Sequence, residues 1–376
     1  MRTSLVKIIL LTLCVLVYAT TASADLFVSG LMTMVARNAD VNNLHNHTNL
    51  GYSAFDAVSA RLFLDARVTD RLSGFVQLYT SRDYDPILYG AYIRYDHTPN
   101  AHLEAGIIPV PVGLWGPRTY ADKNPLVAVP LIYQYKTVMK TFGGVQTTAQ
   151  EMLEERGAAA YSPMLYDFCW NAGVHGYASA GPFDIGAALQ AGSLGSPSRE
   201  MKYDYPNVTA NVNWVPGPWL TVGVWGASGP FLPTSVEAML PDGKKTEDYH
   251  QQTVGALLHA AYGHGELYAE GIVNRFDHPF LGDLNAQGGY VDVTYTFLTQ
   301  WYAAARIEAL GFNRLSPAID PEENRWDYPL SRYEAGVGYR SSPRTVVKLV
   351  TQIVRYTSAP ATFDDEIYGL QFVVKL

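Results

Sequence analysis

The stretch 289-GYVDVTYTFLTQWYAAARIEALGF-312 decides the fold. In its first half Val291, Val293, Tyr295 and Phe297 alternate with Asp292, Thr294 and Thr296. In its second half Ala303, Ala305, Ile307 and Ala309 oppose Arg306 and Glu308. A period of two sends the apolar set to one face of a strand and the polar set to the other. Leu298-Thr299-Gln300 is long enough only for a tight turn, so the stretch predicts an antiparallel hairpin, apolar on one face and charged on the other. Each arm has the length of about 9–11 residues with which a tilted strand crosses a bilayer.

The same pattern extends in both directions. Arg332 to Arg340 sets Tyr333, Ala335, Val337 and Tyr339 against Arg332 and Glu334; Thr345 to Thr357 sets Val347, Leu349 and Ile353 against Lys348 and Gln352. Ile367 to Leu376 sets Tyr368, Leu370, Phe372, Val374 and Leu376 against Gly369, Gln371 and Lys375. Upstream, Glu266 to Arg275, Gln251 to Tyr262, Trp219 to Ser228, Asn207 to Val215, Phe183 to Ala191 and Phe168 to Ser179 read alike. So do Ala101 to Ile108, Leu88 to His97, Leu72 to Thr80, Ser53 to Val68 and Leu26 to Arg37. The count is about 16, an even number that places both termini at one end. Short turns such as Gly181-Pro182 and Pro216-Gly217-Pro218 gather at that end. Ala39 to Tyr52, Val110 to Glu155, Gly192 to Pro206, Gly229 to His250, Asp277 to Gln287 and Asn313 to Leu330 form long connections at the other. Beside the short turns, Tyr95, Trp214, Tyr262, Phe297, Trp301 and Tyr339 share the apolar register, as an interfacial girdle requires. A soluble sandwich also alternates, but it accounts for neither the loop segregation nor the shared parity. The expected fold is all-β: a transmembrane antiparallel up-and-down β-barrel of about 16 strands, its long third outer loop folded into the lumen.

Composition agrees. Of 376 residues, 48% are apolar and only 16% charged, yet mean hydropathy is −0.03. With 26 Tyr, 32 Gly and 22 Pro, short strands and turns are favoured over long helices, and no run of about 18 apolar residues offers a membrane-spanning helix. Arg2 and Lys7, the apolar run Ile8 to Tyr18 and Ala22-Ser23-Ala24 read as a cleaved signal peptide over residues 1–24. The remaining 25–376 would form the barrel, in the outer membrane of a Gram-negative-type cell, in contact with its lipid. Cys14 leaves with the signal, so Cys169 has no intramolecular partner. The mature net charge becomes −10, which argues against nucleic acid as a partner.

Val110 to Glu155 is the longest connection. It opens with Pro109-Val110-Pro111-Val112-Gly113-Leu114-Trp115-Gly116-Pro117-Arg118, later holds Tyr133, Tyr135, Lys136 and Lys140, and carries a short helical candidate, Gln150 to Arg156. A loop of this length in a compact fold is usually functional, and a barrel of about 16 strands is wide enough to pass water unless narrowed. The expectation is that it folds inward as a constriction. Arg61-Leu62-Phe63-Leu64-Asp65, Phe75-Val76-Gln77, Gly90-Ala91-Tyr92-Ile93-Arg94-Tyr95 and Gly106-Ile107-Ile108-Pro109-Val110-Pro111-Val112-Gly113-Leu114 together resemble the phosphate-selective porin O/P superfamily. The likeness covers residues 53 to 118 and implies a 16-stranded, trimeric outer-membrane channel.

Phosphate selectivity does not transfer residue by residue. The inward register interleaves Arg61, Arg67, Arg94, Arg306 and Lys348 with Asp65, Glu266, Glu270, Asp292, Glu308 and Glu334. With Arg118, Lys136 and Lys140 of the long loop, these are the pore-lining and constriction candidates. Mixed signs give no net attraction for an anion, and the acidic balance favours a weakly cation-preferring or general pore.

No catalytic or cofactor motif is present: H-E-x-x-H, G-x-S-x-G, the P-loop and C-x-x-C are all missing. His175 with Ser179 or Ser193 is the best nucleophile–base pair available, and the simpler reading is two unrelated lumen residues. His45 and His47 with Asp40 are the loop histidines that could meet a metal, though such residues are more often solvated. The expected function is passive diffusion of small hydrophilic or ionic solutes, with no enzyme activity, cofactor or metal. The alternative is a closed or plugged barrel serving as scaffold or receptor for a partner complex.

Overall fold

The computed structural model describes residues 25–38, 46, 53–81, 85–157, 161–166, 170–198, 205–315, 324–356 and 364–376. Residues 1–24, expected from sequence to be a signal peptide, and the loop histidines His45 and His47 with Asp40 lie outside the described residues, as does Cys169. Among the described residues, sixteen strands form one closed sheet. They are β1 (Asp25–Asn38), β2 (Val58–Arg67), β3 (Leu72–Thr80), β4 (Ile87–Thr98), β5 (Ala101–Pro109), β6 (Trp170–Ala180), β7 (Phe183–Gln190) and β8 (Asn207–Gly217). Then follow β9 (Leu220–Pro230), β10 (His250–Tyr262), β11 (Gly265–His278), β12 (Gly282–Leu298), β13 (Trp301–Phe312), β14 (Leu330–Ser342), β15 (Thr345–Tyr356) and β16 (Asp364–Lys375).

Every neighbouring pair is antiparallel. Strand β1 closes the ring on β16, with Met32 opposite Val374 and Met34 opposite Phe372. Leu376 continues the ladder, its N–H donating to the Gly30 carbonyl at 2.9 Å. A sheet without an edge satisfies its backbone groups internally, the condition for a strand structure in hydrocarbon.

The two faces divide as the alternation predicts. Val291, Ile307 and Leu349 are 45%, 60% and 61% exposed, whereas Asp292, Arg306 and Lys348 are 1% exposed or less. Apolar residues outside and charges enclosed invert the arrangement of a soluble protein. Of the aromatics near the short turns, Tyr95, Trp214, Tyr262, Phe297 and Trp301 are exposed, and Tyr339 packs against Trp301 with ring centroids 4.7 Å apart and planes tilted by 37°.

One expected long connection, Asp277 to Gln287, is not a loop. Strands β11 and β12 stay paired as far as His278 opposite Gly282, which takes the turn's left-handed conformation at φ +72°. The polarity of the alternation inverts there: Phe276 and Leu284 are buried while Arg275 pairs with Asp283 at 2.9 Å on the outer face. A strand that leaves the apolar zone has no reason to keep apolar residues outside, so its composition reads as loop. The β5–β6 connection also runs further than Glu155. Segment 161–166 turns back on its own loop, Tyr161 N–H donating to the Thr137 carbonyl at 2.8 Å, before β6 begins at Trp170. Within this connection lie helical turns at Trp115–Arg118, Leu131–Gln134 and Ala149–Glu154, the last capped by the Thr148 hydroxyl accepting from Glu151 N–H at 3.2 Å.

Large rings on the enclosed face lie over glycines of the next strand. Tyr302 faces Gly338 in register and Trp225 faces Gly255, and a Cβ added at either glycine would overlap the ring. Gly338→Ala should therefore destabilise the barrel by about 1–3 kcal/mol. Gly271→Ala, whose Cβ would come no nearer than 3.8 Å to its neighbours, should be near neutral. The temperature at which the detergent-solubilised protein loses its compact gel mobility reads both, and equal behaviour of the two variants would refute the packing argument.

Candidate functional site

The enclosed face of β11–β15 carries a cluster of charges, and each of them binds the segment 114–134. Glu308 accepts Leu131 N–H at 2.5 Å, and Arg332 Nε donates to the same carboxylate at 2.8 Å. One oxygen of Glu334 accepts both Val127 N–H and Ala128 N–H at 3.0 Å, and the other lies 3.5 Å from Arg306. Arg306 donates to Asp292 at 2.8 Å, to the Ala128 carbonyl at 2.7 Å and to Asn124 Oδ1 at 3.1 Å. Arg118 reaches out of the segment to Asp292 at 2.7 Å. Lys348 Nζ donates to three backbone carbonyls, Ala121 at 2.6 Å, Asn124 at 2.8 Å and Leu126 at 3.0 Å. Glu270 accepts from the Tyr133 hydroxyl at 2.7 Å and from Leu114 N–H at 3.4 Å.

The local sequence makes this docking feasible. Gly113 adopts φ +61°, and a Cβ there would overlap Tyr133 Oη and Glu270, so the chain approaches the wall as closely as only glycine allows. Prolines and short helical turns leave backbone N–H and C=O groups without regular partners, and the charged side chains of the wall satisfy them. Around the polar contacts Val112, Leu131 and Ile132 join Leu257, Ile272 and Trp225 of the sheet in one apolar cluster. The buried Trp115 ring lies near the guanidinium groups of Arg118 and Arg306, which are 5.6 and 5.3 Å from its centroid.

The structure thus brings together Arg118, Glu270, Asp292, Arg306, Glu308, Glu334 and Lys348 from the predicted set. The others stand apart. Arg61 sits over the rings of Tyr79, Tyr89 and Tyr120 at 4.5, 5.3 and 5.5 Å. With Trp115, Thr119 and Gln371 it borders a space of about 60 Å³ between the segment and β1–β3. Arg67 and Arg94 line a recess of about 370 Å³ toward the short turns, paired with Asp70 at 3.0 Å and Asp96 at 2.8 Å. Glu266 meets His259 at 3.1 Å, Lys140 meets Glu155 at 3.2 Å, and Lys136 pairs its backbone with Pro163. His175 bonds to Glu104 at 3.1 Å through Nδ1 and its Nε2 has no hydrogen-bond partner, so among the described residues it is not paired with Ser179 or Ser193 as considered from sequence.

Sequence reasoning passed over Arg332, Asn124, Gln134 and Asp327. Arg332 shares the register of Glu334, and that parity was signal enough to include it; the other three have no periodic signature because they work through loop geometry. Asp327 joins two loops: its carboxylate accepts from the Tyr135 hydroxyl and Val138 N–H, both at 3.0 Å. Burial pushes this carboxyl up to about 6, against the three hydrogen bonds that favour its charged form. Burial, then the charge of Asp327, pushes the Tyr135 hydroxyl well above its ordinary value.

No protein-family model matches the chain, and no curated protein matches it in sequence. Solved structures match its fold. An anion-selective porin from Comamonas acidovorans superposes with a TM-score of 0.59 at 10% identity, over 94% of this chain and 99% of that one. Salmonella typhi OmpF, solved as a complex with daunomycin, gives 0.57 at 11% identity over 95% and 99%. The outer membrane channel DcaP of Acinetobacter baumannii gives 0.55 at 11% identity over 94% and 98%. At such identities the likeness is one of fold: a closed, 16-stranded porin-type barrel.

Removing one member of a buried ion pair strands the other. Glu308→Ala should destabilise by about 3–5 kcal/mol and expose segment 114–134 to protease, while Glu308→Ala with Arg332→Met should recover much of the loss. Thermal melting and limited proteolysis check both. The Asp327 carboxyl, held above its usual 3.8, contributes stability that is complete at lower pH and is lost as pH rises through about 6. The wild type should therefore lose up to about 3 kcal/mol relative to Asp327→Asn between pH 4 and pH 7. Parallel melting curves for the two proteins across that range would exclude the linkage.

Proposed function

We propose that the chain is an outer-membrane porin through which small hydrophilic or ionic solutes diffuse passively, with segment 110–155 folded into the lumen as its constriction. The observation that carries this reading is the docking of Leu114 to Gln134 on the enclosed charges of β11–β15 within a sheet whose outer face is apolar. A lumen divided in this way leaves passage on the side of β1–β8, lined by polar side chains of the enclosed register. Residues 1–24 direct export and are cleaved. The functional unit is a homotrimer, a state named for one structure of similar fold, Vibrio cholerae OmpT.

Selectivity follows from how the inward charges are balanced. Arg118, Arg306 and Arg332 are matched by Asp292, Glu308 and Glu334, Lys348 by backbone carbonyls, and Glu270 by the Tyr133 hydroxyl and Leu114 N–H, so the docked wall attracts ions of neither sign. The resemblance to the phosphate-selective superfamily therefore extends to architecture and not to an anion-binding ladder. The pore is general, with a weak preference for cations from its acidic balance.

In planar bilayers the purified protein should give stepwise conductance, and deletion of Pro109 to Arg118 should enlarge each step. Reversal potentials in a salt gradient should be small and of cationic sign. Correctly folded protein that never conducts would overturn the channel reading in favour of a plugged scaffold, and a strong anionic potential would overturn the selectivity.

A further inference from the structure

We propose that His102, Glu104 and His175 form a binding site for a divalent transition metal, with Zn²⁺ the fitting ion, on the enclosed wall of the barrel. His102 and Glu104 are two apart on β5 and share a face, and Glu104 lies opposite His175 of β6 in register. Parity confirms the face: Leu103 and Val174 between them are exposed, while Glu104 and His175 are 5% and 8% exposed. One donor atom from each of the three residues lies within 4.8 Å of the other two. The Glu104 carboxylate is 3.6 Å from His102 Nε2 and 3.1 Å from His175 Nδ1. Tetrahedral ligands at about 2.0–2.1 Å from a zinc ion stand roughly 3.3 Å apart, so these donors need little movement to close on one.

Charge also calls for a cation here. Arg94, opposite Glu104 on β4, is committed to Asp96 at 2.8 Å. That leaves the buried carboxylate facing two imidazoles, neither of which is a permanent cation. A carboxylate enclosed without a full countercharge is costly, and a dication supplies one. Two imidazoles and one carboxylate form a set suited to zinc, with a fourth position open to lumen water. His175 Nε2 is buried and unpaired, the position from which a ligating imidazole donates to a carbonyl or water. Gly186 keeps a gap beside it: a Cβ there would lie 3.0 Å from His175 Nε2 and 2.5 Å from Asn211 Oδ1. The His102 ring stacks on Tyr177 with centroids 4.7 Å apart, which limits its rotation.

The proposal concerns binding alone and holds whether or not the barrel conducts. Untagged, chelator-stripped protein, folded in detergent, should take up about one Zn²⁺ per chain at this site when titrated calorimetrically. His102→Gln and His175→Gln should each weaken uptake by more than the roughly 10–100-fold that loss of a supporting partner costs. His259→Gln, which breaks a simple His–Glu pair at 3.1 Å elsewhere on the wall, should leave it unchanged. Substituted Co²⁺ should show the intense visible absorption of a four-coordinate ion with nitrogen ligands, and both histidine variants should lose it. Folded wild-type protein that binds no Zn²⁺, or binding untouched by both histidine variants, overturns the site without reference to any variant's stability.

Discussion

A closed sheet has two faces and no edge, and the rest of this molecule depends on that constraint. Sixteen antiparallel strands return to their start where β1 meets β16, so every residue must point either outward or into an enclosed volume. With a side-chain period of two, the chain spends alternate positions on each. This is how a protein nearly half apolar by count averages to a mean hydropathy of −0.03.

Enclosure changes what a charge must do. Asp292, Arg306, Glu308, Arg332, Glu334 and Lys348 are as buried as core residues, and an unpaired charge in that position is expensive. They satisfy one another only in part. Much of the remainder is taken up by backbone groups of 114–134, a segment with too little regular structure to satisfy those groups internally. Wall and segment therefore complete each other: charges that would otherwise be a field across the lumen become the fastening of the segment. Candidate lumen charges in such a barrel thus fall into two kinds, those spent on fastening and those, such as Arg67 and Arg94, paired with neighbouring carboxylates beside open space.

Legibility from sequence followed this division. Strand existence, register and inward or outward parity were readable because a two-residue period is local. The one misread connection, Asp277 to Gln287, failed where that period reversed polarity at the rim, with Phe276 and Leu284 turning inward and Arg275 pairing with Asp283 outside. The roles of the inward charges were not readable. Glu308 meets Leu131 across 177 positions of chain and Glu334 meets Val127 across 207, and no local pattern marks such partners. His175 shows the same limit: beside Ser179 and Ser193 in sequence it resembles half of a nucleophile pair, yet strand pairing hands it to Glu104, 71 residues away.

The sequence by itself determined a closed antiparallel barrel of about 16 strands, the alternation of faces along most of them, and the long β5–β6 connection as its main irregularity. Side-chain periodicity and turn length encode those features within a few neighbouring residues. Only the tertiary structure decided which charges the connection neutralises, which stay exposed to the remaining space, and which histidines converge on one carboxylate. Those outcomes depend on distances between residues far apart in the chain, and ring closure sets these distances, not composition or spacing.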